Sequence, residues 1–212
     1  MTALPGQTGG DGLVLVLDDD ASVRQALANL LQSVGLAVRP FATAAELDAI
    51  ALPEVPVCLV LDVRMPGRNG LDIHDDVRRR WPALPVIFLT GHGDIPMSVR
   101  AMKSGAIEFL TKPFREQDLL DAIHTGLAAS RANLDRLREI DALQRRHAAL
   151  SPREREVMAL IVEGQLSKQI AARLALSEIT VKVCRAALMK KLGATTLVEL
   201  GVIAERLGQA RT

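Results

Sequence analysis

Leu13-Val14-Leu15-Val16-Leu17-Asp18-Asp19-Asp20 is a run of five aliphatic residues that stops abruptly on three carboxylates. A run this short, apolar at every position and rich in Val and Leu, predicts a strand buried on both faces. Comparable runs recur at Ala37–Phe41, Val57–Leu61, Val86–Leu89 and Ala106–Leu110. Between them the spacing is helical. Val23, Leu27, Leu30, Leu31 and Val34 fall three and four residues apart, with Ser22 as the predicted cap and Gly35 closing the segment. Further helices are predicted over Thr43–Ile50, Leu71–Arg80, Ile95–Ser104 and Glu116–Leu127. Five strand–helix units predict an α/β doubly wound, five-stranded parallel sheet with helices on both faces.

Ligands of such sheets bind beyond the carboxyl ends of the strands, and the chemistry of this chain gathers there. The first strand runs into Asp18, Asp19 and Asp20, the third ends at Asp62, the fourth at Thr90, and Lys112 follows the fifth. One Asp after a strand is an ordinary turn or cap residue. Several at one rim need neutralising, because like charges raise one another's pKa. An all-oxygen set with few carboxylates suits Mg²⁺ with water and phosphate oxygens in the open positions. Adding Lys112 and the Thr90 hydroxyl makes a device for phosphoryl transfer, with Asp62 as nucleophile.

The 212 residues suffice for two small domains, and 49% hydrophobic with 24% charged residues is a globular balance, not a disordered one. No apolar run approaches the ~20 residues of a membrane span. The first residues lack a basic segment followed by an apolar one, which predicts no signal peptide, no membrane contact and a cytoplasmic location. Cys58 and Cys184 lie too far apart in sequence to suggest a disulfide framework or a metal cluster. The net charge of +1 is unevenly spread. Residues 1–127 carry 11 Lys+Arg against 16 Asp+Glu, whereas residues 151–212 carry 10 against 6. An acidic front suits a cation and a basic tail a polyanion, although solvated surfaces give differences of the same size.

From Glu116 to Leu150 there is no Pro, and Gly126 is the only Gly. Leu120, Ile123, Leu127, Leu134 and Leu137 continue a helical seam that then shifts by one to Ile140 and Leu143. This predicts a helix running on into a linker, either a seam between two copies or a solvated spacer. Ser130 and Asp141, which break the seam, favour the spacer. Ser151-Pro152-Arg153-Glu154 then restarts the chain as a capping box with Pro at the first position. Gly164 closes that helix. Others are predicted over Ser167–Leu174, from Ser177 to Leu192 before Gly193, and from the box Thr196-Leu197-Val198-Glu199 to Leu207. Four short helices with a tight turn near Ala175–Ser177 describe a helix-turn-helix unit. Its third helix carries Lys182, Arg185, Lys190 and Lys191, placed to neutralise phosphates. A small bundle with merely solvated lysines has the same composition.

The segments Val16-Leu17-Asp18-Asp19-Asp20, Leu61-Asp62-Val63-Arg64-Met65-Pro66-Gly67, Leu89-Thr90-Gly91-His92-Gly93-Asp94 and Phe109-Leu110-Thr111-Lys112-Pro113-Phe114 resemble the receiver domain of two-component response regulators. The wording is closest to the FixJ-like branch. The resemblance implies a flavodoxin-like fold in which Asp62 accepts phosphate from a cognate histidine kinase. It implies that Asp19 ligates Mg²⁺ directly, that Asp18 acts largely through water, and that the backbone carbonyl of Arg64 completes the metal shell. Lys112 would contact the phosphoryl group, and the Lys112-Pro113 bond would be cis. Thr90 and Phe109 would form a switch pair: Thr90 moves toward a phosphoryl oxygen and Phe109 turns into the space it leaves. A plain core aromatic is the other reading of Phe109. The side chains of Arg64 and His92 hold positions that tune phosphate lifetime, and His92 reads as a surface residue before a metal ligand.

Leu150-Ser151-Pro152-Arg153-Glu154-Arg155-Glu156-Val157, Glu163-Gly164, Ser167-Lys168-Gln169-Ile170-Ala171 and Thr180-Val181-Lys182-Val183 resemble the LuxR-type DNA-binding domain, over nearly all of Leu150–Leu207. By that resemblance Lys182, Val183 and Ala186 face bases, and Thr180, Arg185, Lys168 and Lys190 face phosphates. The last helix, through Leu197, Leu200 and Ala204, would help pair two such domains. Cys184 stands where the family commonly has His, and Ala186-Ala187 where it has a polar pair. Base readout then leans on Lys182, on Val183 against thymine methyls, and on DNA shape. Cys184 reads as a small buried hydrophobe before a redox switch.

The expected organisation is a receiver over 1–127, a helical linker over 128–149 and a helix-turn-helix domain over 150–212. The expected function is a phosphorylation-controlled transcription regulator that forms a homodimer on phosphorylation, binds double-stranded promoter DNA and works with RNA polymerase. It would be no enzyme beyond promoting its own Mg²⁺-dependent phosphorylation and dephosphorylation. Two other classes stay open on sequence. A phosphohydrolase of the haloacid-dehalogenase type also uses Asp, Thr and Lys, but wants a general acid two residues after the nucleophile, where Arg64 sits. A receiver acting through protein contact, its second domain silent on DNA, shares every motif.

Overall fold

The structure is a computed structural model that describes residues 12–91, Met102 and 105–209. These divide between Asp135 and Arg136 into two compact units. The helix predicted over Ile95–Ser104 (Met102 apart) and His92 lie outside the described residues.

In the first unit Leu13–Leu17 (β1), Ala37–Phe41 (β2), Val57–Asp62 (β3), Val86–Thr90 (β4) and Glu108–Thr111 (β5) form one sheet. Its order is β2-β1-β3-β4-β5 and every pair is parallel. The strand order reverses between β1 and β3, which opens a crevice at their carboxyl ends. Three helices and the first part of a fourth belong with the sheet: Ala21–Ser33 (α1), Ala44–Asp48 (α2), Gly70–Arg80 (α3) and, as far as Asp135, Glu116–Ala148 (α4), whose remainder belongs to the second unit.

Side chains alternate across a strand, so every second residue serves the opposite face. Leu15, Leu17, Leu59, Leu61 and Phe88 pack on one face with Leu47, Ile73 and Val77 from α2 and α3. Val14, Val16, Val60, Ile87 and Leu89 pack on the other with Leu27 and Leu31 of α1 and Leu119, Ile123 and Leu127 of α4. Full burial of each such side chain contributes roughly 1.5–3 kcal/mol, before the entropy of ordering is subtracted. α4 crosses the sheet closely at Gly126, where a Cβ would lie 2.6 Å from the sulfur of Cys58.

Three local expectations need correcting. Asp20, not Ser22, caps α1: its carboxylate accepts the backbone N–H of Ser22 at 2.8 Å and of Val23 at 3.4 Å. The Ser22 hydroxyl itself donates to Asp20, so it is already engaged. The fifth strand runs two residues later than predicted at its start, because its ladder with β4 opens at Glu108 opposite Ile87. Ser130 does not break a seam on a solvated spacer. It is buried, and its hydroxyl oxygen accepts the backbone N–H of Val57 at 2.9 Å, tying α4 to the start of β3.

The second unit contains Pro152–Val162 (α5), Ser167–Leu174 (α6), Glu178–Leu192 (α7) and Leu197–Gln209 (α8). Ser151 and Glu154 form the predicted capping box, with Ser151 N–H donating to the Glu154 carboxylate at 2.7 Å. Ser177 caps α7 and Gly193 ends it in the left-handed region. Between α6 and α7 the chain turns at Ala175, whose φ of 54° is unusual for a residue with a Cβ. Leu150, Val157, Ile170, Val181, Leu188 and Leu200 are core, and Leu143 of α4 packs against them. No helix among the described residues is long and apolar enough to cross a membrane.

Candidate functional site

β1 carries Asp18 to its carboxyl end, β3 carries Asp62, and β4 carries Thr90, while Lys112 follows β5. Parallel strands in register bring these ends to one rim. Carboxylate oxygens of Asp18, Asp19 and Asp62 all lie within 4.8 Å of one another. Asp18 and Asp62 are buried, Asp19 is exposed, and Thr90 is buried at the end of β4. The Nζ of Lys112 donates to Asp18 Oδ2 at 2.8 Å and to Asp62 Oδ1 at 3.0 Å. One ammonium therefore bridges two buried carboxylates. The Lys112-Pro113 bond is cis, as the resemblance implied.

The remaining acceptor positions are oriented by backbone. Asp20 N–H donates to Asp18 Oδ1 at 2.9 Å, and Arg64 N–H to Asp62 Oδ2 at 3.2 Å. Burial pushes the Asp62 carboxyl above the usual range; the hydrogen bond from Lys112 opposes this, and the nearby charge of Asp18 adds to it. Burial presses the Lys112 ammonium down, but its hydrogen bonds to Asp18 and Asp62 outweigh that and leave it above its ordinary value. The three carboxylates offer hard oxygen donors at a spacing one small divalent cation can span, which fits Mg²⁺ by donor chemistry.

Beyond Asp62 the chain turns back as a short antiparallel ribbon, Arg64–Met65 paired with Arg68–Asn69. With Asp19 it lines an open cleft at the rim. Two residues here were not legible beforehand. Arg24 of α1 donates to the carbonyl of Asp18 at 2.7 Å and holds the end of β1. Gly70 lies against the backbone below Asp62, where a Cβ would sit 2.6 Å from the Asp62 carbonyl oxygen. A Gly opening a helix was the one available signal for it.

Phe109 is half-buried and packs against the core that Phe88 belongs to. It stands opposite Phe88 in the ladder, their rings 6.2 Å apart and inclined at 47°. Thr90 pairs with Thr111 in the same ladder, so the two expected switch residues sit two positions apart on neighbouring strands.

In the second unit Lys182, Val183, Ala186, Thr180, Lys168 and Lys190 are exposed, and Arg185 is half-buried. Lys191 departs from its expected role. Its Nζ donates to the buried Glu154 at 2.7 Å and so pins α7 to the first turn of α5. Cys184 is half-buried against the core, in keeping with a small hydrophobe. On α8 the three residues expected to pair two domains do not share one exposed face. Leu200 is fully buried and Ala204 packs on the core, whereas Leu197, Val198 and Val202 are exposed.

Residues 14–124 match the response regulator receiver domain, and residues 148–204 match the bacterial regulatory proteins of the luxR family. Nodulation protein W of Bradyrhizobium diazoefficiens is 48% identical over 196 residues, which cover 92% of this chain and 86% of that one. The transcriptional regulatory protein FixJ of Azorhizobium caulinodans is 43% identical over 190 residues, 88% of this chain and 89% of that one. The solved response regulator StyR is 44% identical, with a TM-score of 0.80 over 93% of this chain and all of that one.

Proposed function

Since this chain belongs to the two-component response regulators that join a receiver domain to a LuxR-type DNA-binding domain, we propose that Asp62 is the carboxylate phosphorylated by its histidine kinase. Members of this family are receiver-plus-DNA-binding regulators, not classical enzymes, and their partners are a histidine kinase and DNA. The observation that carries the proposal is the Lys112 ammonium bridging Asp18 and Asp62 at the rim of the sheet.

Asp62 offers an oxygen to phosphorus as the phosphorus–nitrogen bond to the kinase imidazole breaks, and the imidazole nitrogen leaves with the electron pair. Lys112 is already within hydrogen-bond reach of the attacking carboxylate and turns to the incoming phosphoryl oxygens. Asp18, Asp19, Asp62 and the Arg64 carbonyl would hold Mg²⁺, which when bound neutralises charge on the transferring oxygens. The Arg64 N–H orients the second oxygen of Asp62. Arg64 is also why the phosphohydrolase reading falls away: no carboxylic acid stands two residues after Asp62 to protonate a leaving group.

Phosphorylation adds about 1.5 to 2 negative charges and three acceptor oxygens. The Thr90 hydroxyl turns to one of them, Phe109 follows inward, and the face of the receiver around β5 changes shape. The changed face favours a homodimer, which sets two α7 helices about one turn of DNA apart, ~34 Å. Lys182, Val183 and Ala186 meet bases, while Thr180, Arg185, Lys168 and Lys190 meet phosphates of promoter DNA, where the regulator works with RNA polymerase. The regulator works in the cytoplasm, with a receiver over 1–127, a linker over 128–149 and a DNA-binding domain over 150–212.

The test is mass spectrometry of the full chain after incubation with acetyl phosphate and Mg²⁺. The expected result is one phosphoryl group on Asp62, absent without the metal and absent in Asp62→Asn. No added phosphate, or phosphate on another residue, overturns the proposal.

A further inference from the structure

α7 is apolar on two faces. Its inner face, Val181, Leu188 and Leu192, is buried in the core of the second unit. Its outer face also carries branched aliphatic residues: Ile179 is 74% exposed and Val183 64% exposed. Ile179, Lys182, Val183 and Ala186 fall at i, i+3, i+4 and i+7, so they form one continuous stripe. All four are exposed. β-branched residues are weaker helix formers than Leu, Lys or Glu, so solvent-facing positions gain nothing locally from holding them. A helix with a second apolar face is built to meet a second surface.

The surroundings indicate what that surface is. Lys182 lies within the stripe, Thr180, Arg185 and Lys190 flank it, and Glu178 at the first position is the only carboxylate of α7. Such a border fits a polyanion, not an acidic or a neutral protein face. In the major groove the single apolar group a base edge presents is the thymine C5-methyl. At 1.5 Å per residue, Ile179 to Val183 spans about 6 Å, or about two base steps of 3.4 Å.

We propose that Ile179 is a specificity determinant which, with Val183, reads thymine methyl groups, so that each half-site carries thymine at two positions within about two base steps. The inference rests on α7 being the DNA-reading helix. Ile179 lies beside Lys182 and Val183 and extends the reading face one turn toward the start of the helix. Two aliphatic contacts replace hydrogen bonds that Ala186 and Ala187 have no atoms to make. Recognition is thereby directed at A·T pairs on the strand α7 faces.

The experiment uses the full chain, activated with beryllofluoride and Mg²⁺. A duplex is first selected from a random pool, then resynthesised with deoxyuridine in place of each half-site thymine in turn, which removes only the methyl group. At two positions the unsubstituted protein loses about four-fold in affinity, the value expected for one buried methyl group. Ile179→Ala loses about as much on the thymine duplex and becomes indifferent to uracil at one of those positions, while still discriminating at the other; Val183→Ala gives the converse. Retained discrimination at the second position also reports that the variant is folded. The proposal is overturned if Ile179→Ala discriminates thymine from uracil as the unsubstituted protein does. It is equally overturned if that variant binds the thymine duplex unchanged, which would assign the stripe to a protein partner. Failure to enrich any sequence would overturn instead the reading of α7 as the DNA-contacting helix, and this inference with it.

Discussion

The Nζ of Lys112 lies 3.0 Å from Oδ1 of Asp62, two side chains fifty residues apart that meet because β3 and β5 flank β4 in a parallel sheet. The same ammonium is 2.8 Å from Asp18. With one cation shared between two buried carboxylates, the rim holds more negative than positive charge, and a phosphoryl group would add to it. Without a metal, Asp18 and Asp62 share a single ammonium.

The consequence of this charge balance is measurable at Asp62. Burial, the largest influence, raises its native pKa above the ordinary 3.8. The native state then holds the proton more tightly than the unfolded chain does. Its contribution to stability is full below the ordinary value and is lost as pH rises through the native one. At neutral pH the ionised carboxylate is a net cost, so Asp62→Asn in metal-free protein should stabilise the first unit by about 1 kcal/mol. Thermal unfolding in the presence of a chelator should show a higher midpoint at pH 7 and a gain that shrinks toward pH 4. A lower midpoint at pH 7 would mean that the bond from Lys112 outweighs burial.

Ser130→Ala should destabilise the first unit by about 1–3 kcal/mol, because it leaves the Val57 N–H buried without its acceptor. Urea unfolding measures this directly. A change within ~0.5 kcal/mol is what a solvated spacer residue would give.

Ser130 also marks where the sequence stopped being readable. Asp18, Asp62, Thr90 and Lys112 were legible because each follows an apolar run, and parallel strands carry their ends to one rim. Arg24, Gly70 and Ser130 were not. Arg24 and Ser130 hydrogen-bond backbone atoms, the latter across 73 residues, and Gly70 makes room for backbone, so no side-chain pattern registers them. The burial of Leu200 on α8 was not legible for another reason. Leu197, Val198, Leu200, Val202 and Ile203 put apolar residues around much of the helix. Spacing alone then left its rotation open, and the core took Leu200.

Glu154 should make the second unit acid-sensitive. The hydrogen bond from Lys191, then that from the Ser151 N–H, hold its carboxyl below the ordinary 4.5. A depressed native pKa gives stability that is present above the unfolded value and lost as pH falls through the native one. Glu154→Gln should therefore lower the thermal midpoint of this unit at pH 7, and the difference from the unsubstituted protein should vanish at strongly acid pH. Ser151→Ala removes the cap itself and should cost about 1 kcal/mol at either pH. A Glu154→Gln deficit independent of pH would show that packing, not charge, is what Glu154 supplies.

The basic residues of α6 and α7 should separate into two kinds when DNA binding is followed against salt. Lys168 and Lys190 are exposed, and as phosphate contacts each releases counterions on binding. Replacing either by Ala should weaken binding similarly on all sequences and reduce the slope of log K against log salt by about 0.9 per site contacted. Lys191 has its ammonium 2.7 Å from Glu154 and serves the fold. Lys191→Ala should leave the slope unchanged and lower the unfolding midpoint of the second unit instead. Fluorescence anisotropy at four or five salt concentrations, paired with a thermal melt, distinguishes the two behaviours. A slope that fell for Lys191→Ala and not for Lys190→Ala would put the phosphates against the Lys191 side of α7 and exchange the roles assigned to the two lysines.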